Sequence, residues 1–119
     1  MIDAQFHHVP WEARKKVEST DFRDEGGKKL QARLRDPAHA LAYEKVFNIE
    51  ASLQHMKRCG IDMALLGNAS WIVAGIEVCR AINDGMARLL REYPGKFLPL
   101  AHVPYLEGQP AIDELERAI

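Results

Sequence analysis

Met56-Lys57-Arg58-Cys59-Gly60-Ile61-Asp62-Met63-Ala64-Leu65-Leu66 changes its hydrophobic period at the glycine. Upstream of it, Ile49, Leu53, Met56 and Cys59 recur at the spacing of one helix face. Asn48 stands where an N-cap belongs, and Glu50 falls in the first turn, where the helix dipole favours an acid. Gly60 suits the left-handed position that ends a helix. Residues 61–66 then form a short apolar run with the length of a buried strand, and Gly67-Asn68-Ala69-Ser70 is turn chemistry. A helix, a glycine and a buried strand in immediate succession are the joint of a βα repeat.

The pattern continues downstream. A helix over about residues 73–93 carries Ile76, Cys79, Ile82, Met86, Leu89 and Leu90 as its apolar stripe, and Pro94-Gly95 stops it. Residues 97–103 read as a third strand closed by Pro104, although Pro99 within it donates no ladder bond. A last helix over residues 110–119 has proline in its first turn, Asp113 and Glu114 early and Arg117 late.

Upstream, Met1-Ile-Asp-Ala-Gln-Phe-His-His-Val-Pro10 reads as a first strand. Strand alternation puts Asp3, Gln5 and His7 on one face and Ile2, Ala4 and Phe6 on the other. Between this strand and Asn48, residues 10–47 are charged, poorly periodic and punctuated by Gly26-Gly27 and Asp36-Pro37, so an insertion or long loop with one helical piece is expected. The order predicts an α/β fold of parallel βα units in one segment, 1–119: strand 1–9, insertion 10–47, then helix, strand, helix, strand, helix over 48–119.

Composition narrows the partners. The chain has 119 residues, 47% hydrophobic and 28% charged, with a formal net charge of −1. That balance gives no reason to expect nucleic acid or an anionic membrane. Arg14-Lys15-Lys16 and Lys28-Lys29 lie among Glu12, Glu18, Asp24 and Glu25, as on a solvated charged face. No apolar run approaches the ~20 residues of a membrane helix, and the N-terminus does not read as a signal peptide. Cys59 and Cys79 form no disulfide framework and no CxxC zinc pattern; both fall in helical patterns and are expected as buried thiols in a cytoplasmic protein.

Several stretches together resemble the N-terminal portion of the amidohydrolase-related family, which includes aminocarboxymuconate-semialdehyde decarboxylase and the dihydroxybenzoate decarboxylases. Ile2-Asp3-Ala4-Gln5-Phe6-His7-His8-Val9-Pro10 is similar to the family's Asp-x-His-x-His start followed by proline. Residues 56–66 look like its methionine, Gly-Ile-Asp and buried-strand segment. Ile82-Asn83-Asp84-Gly85, Tyr93-Pro94-Gly95-Lys96-Phe97, Ala101-His102-Val103-Pro104 and Glu114-Leu115-Glu116-Arg117-Ala118 follow in the family's order.

The resemblance implies the first part of a (β/α)₈ TIM barrel and a metal-dependent hydrolase or carboxy-lyase acting on a small carboxylated aromatic or dienoic substrate. Such a barrel typically takes ~250 residues. This chain supplies about three βα units, and is expected to be a piece of one. The resemblance makes His7 and Gln5 metal positions, with zinc the expected ion and manganese the alternative. Gln5 offers a neutral amide oxygen, a poorer zinc donor than imidazole or carboxylate. Asp3 would orient the site from behind or cap the strand.

Trp11, Asn68 and Trp71 follow strand ends, where barrel sites form, and are expected to line a substrate pocket or pack in loops. His102 is either a pocket residue or a satisfied core histidine, while His8 points away from His7. Arg33 and Arg35 could hold a substrate carboxylate, or be solvated charge. His39 and His55 are expected at the surface. The competing expectation is a non-catalytic αβ module that associates with another copy or with the remaining half-barrel. A doubly wound nucleotide-binding domain would need a glycine-rich phosphate turn after the first strand, and His7-His8-Val9-Pro10 is not one.

Overall fold

The computed structural model describes residues 1–19, 29, 34–67 and 75–119. Along the chain these form β1 (Ile2–Phe6), α1 (Trp11–Ser19), α2 (Pro37–Val46), α3 (Ile49–Cys59), β2 (Met63–Leu66), α4 (Ile76–Glu92), β3 (Phe97–Pro99), a 3₁₀ turn (Tyr105–Glu107) and α5 (Gln109–Ala118). The three strands pair in parallel in the order β1-β2-β3. Each βα step therefore moves the sheet one strand in the same direction, and all three strand ends emerge at one edge.

The joint at Gly60 is built as its sequence predicts. Asn48 accepts the Ala51 N–H through Oδ1 at 3.0 Å and caps α3. Gly60 closes the helix at φ 66°, ψ 31°, and the next amide, Ile61 N–H, reaches back to the Met56 carbonyl at 2.9 Å. Only glycine takes that left-handed conformation without Cβ strain. Ile61 and Met56 are both buried, so the turn carries the chain from helix to strand without leaving the core.

That core lies between one face of the sheet and the helices. Phe6, Ala64, Leu66 and Phe97 meet Met56 from α3, Val78, Ile82, Met86 and Leu89 from α4, and Val9, Ala13 and Val17 around α1. The opposite sheet face is apolar and open. Leu98 and Leu100 are 54% and 51% exposed, and Met63 and Leu65 are half-buried. Parallel sheets are ordinarily covered on both faces, so this exposure is unusual. No helix of the described residues is long and apolar enough to cross a membrane.

Four expectations need correction. The stretch between β1 and α3 carries two helices among its described residues, not one. Pro37 is the first residue of α2, capped by Asp36, whose Oδ1 accepts the Ala38 N–H at 2.8 Å. The periodicity is faint because α1 buries only Ala13 and Val17, and α2 only Tyr43. Arg14 ties the two helices together, with Nε to Glu18 at 2.8 Å and a two-pronged contact to Glu44 at 2.6 and 3.0 Å.

Regular alternation along β1 fails as well. Asp3 is level with Ala64 and Phe6 with Leu66, so β1 spends one residue more than β2 between them. The Asp3 carboxylate accepts the Gln5 N–H at 2.9 Å, drawing that amide from the ladder and bulging the strand. Asp3 therefore does not share a face with Gln5 and His7.

The third strand is shorter than residues 97–103, ending at Pro99 with one further bond, Leu100 N–H to the Leu66 carbonyl at 2.9 Å. Because Leu100 donates toward β2, Pro99 faces the other side, where β3 has no partner strand among the described residues and no donor is missed. Finally, Cys59 is exposed while Cys79 is buried. Cys59 is the last residue of α3, past the point where the helix meets the sheet. Burial pushes the Cys79 thiol up to about 11.

Candidate functional site

The parallel order gathers the segments after β1, β2 and β3 at one edge. His7 follows β1 there. Its Nδ1 lies 2.8 Å from the Gly67 carbonyl oxygen. A carbonyl has no proton to give, so Nδ1 is the donor and the neutral ring keeps its lone pair on Nε2. Gly67 is held on both sides, because its own N–H donates to the Phe6 carbonyl at 3.2 Å. The β1–β2 pairing thus fixes both the position and the tautomer of an exposed imidazole. Gln5 is exposed as well, two residues earlier.

His8 turns the opposite way. It is buried, with Nδ1 3.3 Å from Ser52 Oγ, and the Ser52 hydroxyl sits 3.2 Å from the Asn48 carbonyl. The contact ties the His8 ring to α3, with the donor set by the tautomer. Burial holds His8 down to about 4, helped by the Arg88 charge and opposed by Glu12. It is a neutral core histidine linking β1 to α3, and the bulge does not bring it to the open edge.

This burial has a consequence for acid stability. His8 takes up a proton more readily unfolded, near its ordinary pKa of 6.5, than folded, near 4. Its contribution is complete above pH 6.5 and is lost as pH falls toward 4, a loss of about 2–3 kcal/mol. Urea unfolding at pH 7 and pH 4.5 should show that drop in the native chain and a smaller one in His8→Asn, whose amide can still hydrogen-bond Ser52. Equal drops in both would assign the acid sensitivity elsewhere.

Trp11 opens α1 and is 57% exposed. The Arg14 guanidinium stacks 4.9 Å above its ring. Trp11, Arg14, Glu44, Phe47, Asn48 and Ile49 line an open hollow of about 320 Å³ between α1 and the α2–α3 turn, which His7 and Gln5 do not line. Asn68, Trp71 and Arg33 lie outside the described residues. Arg35 is exposed, as are His39, beside Asp36 at 3.6 Å, and His55.

His102 is 3% exposed, with Nδ1 3.0 Å from the Leu100 carbonyl, and offers a substrate almost no surface. Burial lowers its pKa. Its backbone is clamped by Asn83 of α4, which sequence reasoning had placed only within a motif. Asn83 Oδ1 accepts the His102 N–H, and its Nδ2 donates to the His102 carbonyl and to Glu114 Oε1, each at 2.8 Å. Glu114 is fully buried and also receives Arg117 at 2.7 and 2.8 Å. The Arg117 guanidinium holds its carboxyl below the ordinary range, with a smaller contribution from Asn83. A polar residue at position 83, between Ile82 and Met86 of a buried stripe, was the available signal for this clamp.

Among the described residues, no three His, Cys, Asp or Glu side chains converge as a metal-binding group. His7 fits a ligand's geometry through Nε2. Gln5 would add a neutral oxygen, so the two together fall short of the three protein donors typical of catalytic zinc.

No protein-family model matches the chain, and no curated protein does. Among solved structures, it is similar to the crystal structure of a Staphylococcus aureus protein provisionally assigned as an amidohydrolase. The TM-score is 0.59 at 22% identity, over 98% of this chain and 33% of that one. The chain thus spans about a third of that structure's length, and the likeness is one of fold.

Proposed function

We propose that the chain forms the first three βα units of a metal-dependent enzyme of the amidohydrolase type, built as a (β/α)₈ barrel. Its reaction would be hydrolysis or non-oxidative decarboxylation of a small carboxylated substrate. The observation that carries this reading is His7, exposed at the C-terminal edge of a parallel sheet with Nδ1 committed to the Gly67 carbonyl. A backbone carbonyl behind the ring is the usual way a ligating histidine is oriented and its basicity raised. The uncovered face of Leu98 and Leu100 agrees with it, since a barrel's inner layers would cover such residues.

A zinc or manganese ion, when bound, would polarise a substrate oxygen or activate water. The chain's own residues position and shield. The β1–β2 pairing holds His7 in one tautomer. Trp11 and Phe47 give the hollow aromatic walls, against which an aromatic or dienoic substrate would pack. His7 and Gln5 leave the metal incomplete, so the remaining donors would come from elsewhere in the assembled barrel.

The same open face favours a second reading, a non-catalytic module that uses Leu98 and Leu100 to join another copy or a half-barrel. Zinc titration of the native sequence, Gln5→His and His7→Ala, each carrying Cys59→Ser so that the exposed thiol takes no zinc, separates the two. In the enzyme reading, Gln5→His tightens zinc by at least about tenfold, the scale on which metal-site groups act, and His7→Ala removes binding. No zinc on either the Cys59→Ser chain or its Gln5→His form, together with concentration-dependent association in sedimentation, would favour the module.

A further inference from the structure

We propose that His55 and Cys59 form a two-donor chelate for a soft divalent cation of the zinc–cadmium kind at the end of α3. They stand four residues apart on one helix, the spacing that stacks side chains on a common face. Both are exposed, so an ion can reach them without opening the core. Cys59 Sγ lies 3.9 Å from His55 Nδ1 and 3.8 Å from Nε2.

That separation can be compared with what a shared ion demands. Zinc–sulfur and zinc–nitrogen bonds of about 2.3 and 2.0–2.1 Å, at a tetrahedral angle, require sulfur and nitrogen about 3.6 Å apart. The pair stands within a few tenths of an ångström of this bite. A turn of the imidazole about its Cβ–Cγ bond directs a ring nitrogen toward an ion beside the sulfur.

The ligand class follows from donors and charge. Thiolate and imidazole select zinc-like ions over magnesium or calcium, which take oxygen ligands. Lys57 and Arg58 flank the pair, so net charge does not draw the cation in and the coordinate bonds must supply the affinity. On binding, Cys59 releases its thiol proton to solvent as the sulfur–metal bond forms, so affinity rises with pH. Water completes the coordination.

The test is cadmium titration of the 119-residue chain, read by the ultraviolet thiolate-to-cadmium charge-transfer band, with zinc as competitor and circular dichroism to check folding. One equivalent should saturate the charge-transfer band, and zinc should displace it. Cys59→Ser should lose the band, His55→Ala should weaken cadmium by at least about tenfold, and His7→Ala should change nothing. His55→Ala binding like the native chain would mean the thiol acts alone, and the chelate falls. A band persisting in Cys59→Ser, or lost in His7→Ala, would place the ion at Cys79 or at the strand edge and equally overturn it. The inference does not rest on the barrel reading, because the two sites share no residue.

Discussion

Gly85→Ala is expected to destabilise the chain by about 3 kcal/mol or more, although it puts the best helix former in place of one of the worst. In a helix interior the exchange ordinarily gains about 1 kcal/mol. Here a Cβ on Gly85 would stand 2.2 Å from Pro10 Cβ, 2.8 Å from Pro10 Cγ and 3.0 Å from Glu12 Oε2. Carbon atoms pack at about 3.5–4.0 Å, so α4 and Pro10 would have to part by more than about 1 Å. Pro10 cannot yield by a rotamer change. It is a rigid ring, fully buried, and its carbonyl takes the Ala13 N–H that starts α1. Moving it tears α1 from α4 and loosens Val9, Ala13 and Val17, all fully buried. Overpacking of this kind costs about 1–3 kcal/mol where the core can adjust, and more where backbone must move.

Urea unfolding of Gly85→Ala, Pro10→Gly and the double variant would isolate the clash. The double variant should be more stable than the sum of the single effects by at least about 1 kcal/mol, because Pro10→Gly removes the atoms the new methyl meets. A Gly85→Ala chain as stable as the native one would mean that α1 and α4 do not approach this closely.

Local signals carried the middle of the chain. Asn48, Gly60 and the run after it act on their nearest neighbours through a cap, a left-handed turn and a change of period, so the α3–β2 joint could be read before any tertiary contact was known. The elements that escaped depend on longer-range or competing effects. Helix α1 shows little stripe because it buries two side chains and leaves its charges to Glu44 and Arg88 on other helices. Alternation in β1 failed because a single carboxylate, Asp3, competes with the ladder for the Gln5 amide. Cys59 keeps the helical period past the point where there is anything to pack against.

The candidate site divides the same way. His7 was legible as a strand-end residue, but its tautomer comes from Gly67, sixty positions away. His102 was open between pocket and core because nothing near it in sequence reveals that α4 takes up its backbone. Only the pairing of distant segments decides these roles, and in a parallel sheet every such pairing is distant.

Asn83→Ala is the sharpest test of that last contact, and about 3–5 kcal/mol of destabilisation is expected. The side chain uses both amide protons and its oxygen in three bonds of 2.8 Å, two of them to the backbone of His102. Alanine removes the Asn83 partner of the His102 N–H and carbonyl, and one of the two donors to Glu114 Oε1, which keeps Arg117, where His102 is 3% exposed and Glu114 1%. Each buried polar group left unpaired costs about 1–3 kcal/mol, more when it is charged. Asn83→Asp separates hydrogen bonding from volume. It keeps the shape and can still accept the His102 N–H, but it cannot donate to the carbonyl and sets a second carboxylate against Glu114. It should therefore destabilise at least as much as alanine at pH 7 and recover part of the loss in acid, as protonation restores a donor. Destabilisation below about 1 kcal/mol in both variants would show that the segment after β3 is held by its own packing. A large loss in alanine with none in aspartate would show that only the bond to the His102 N–H matters.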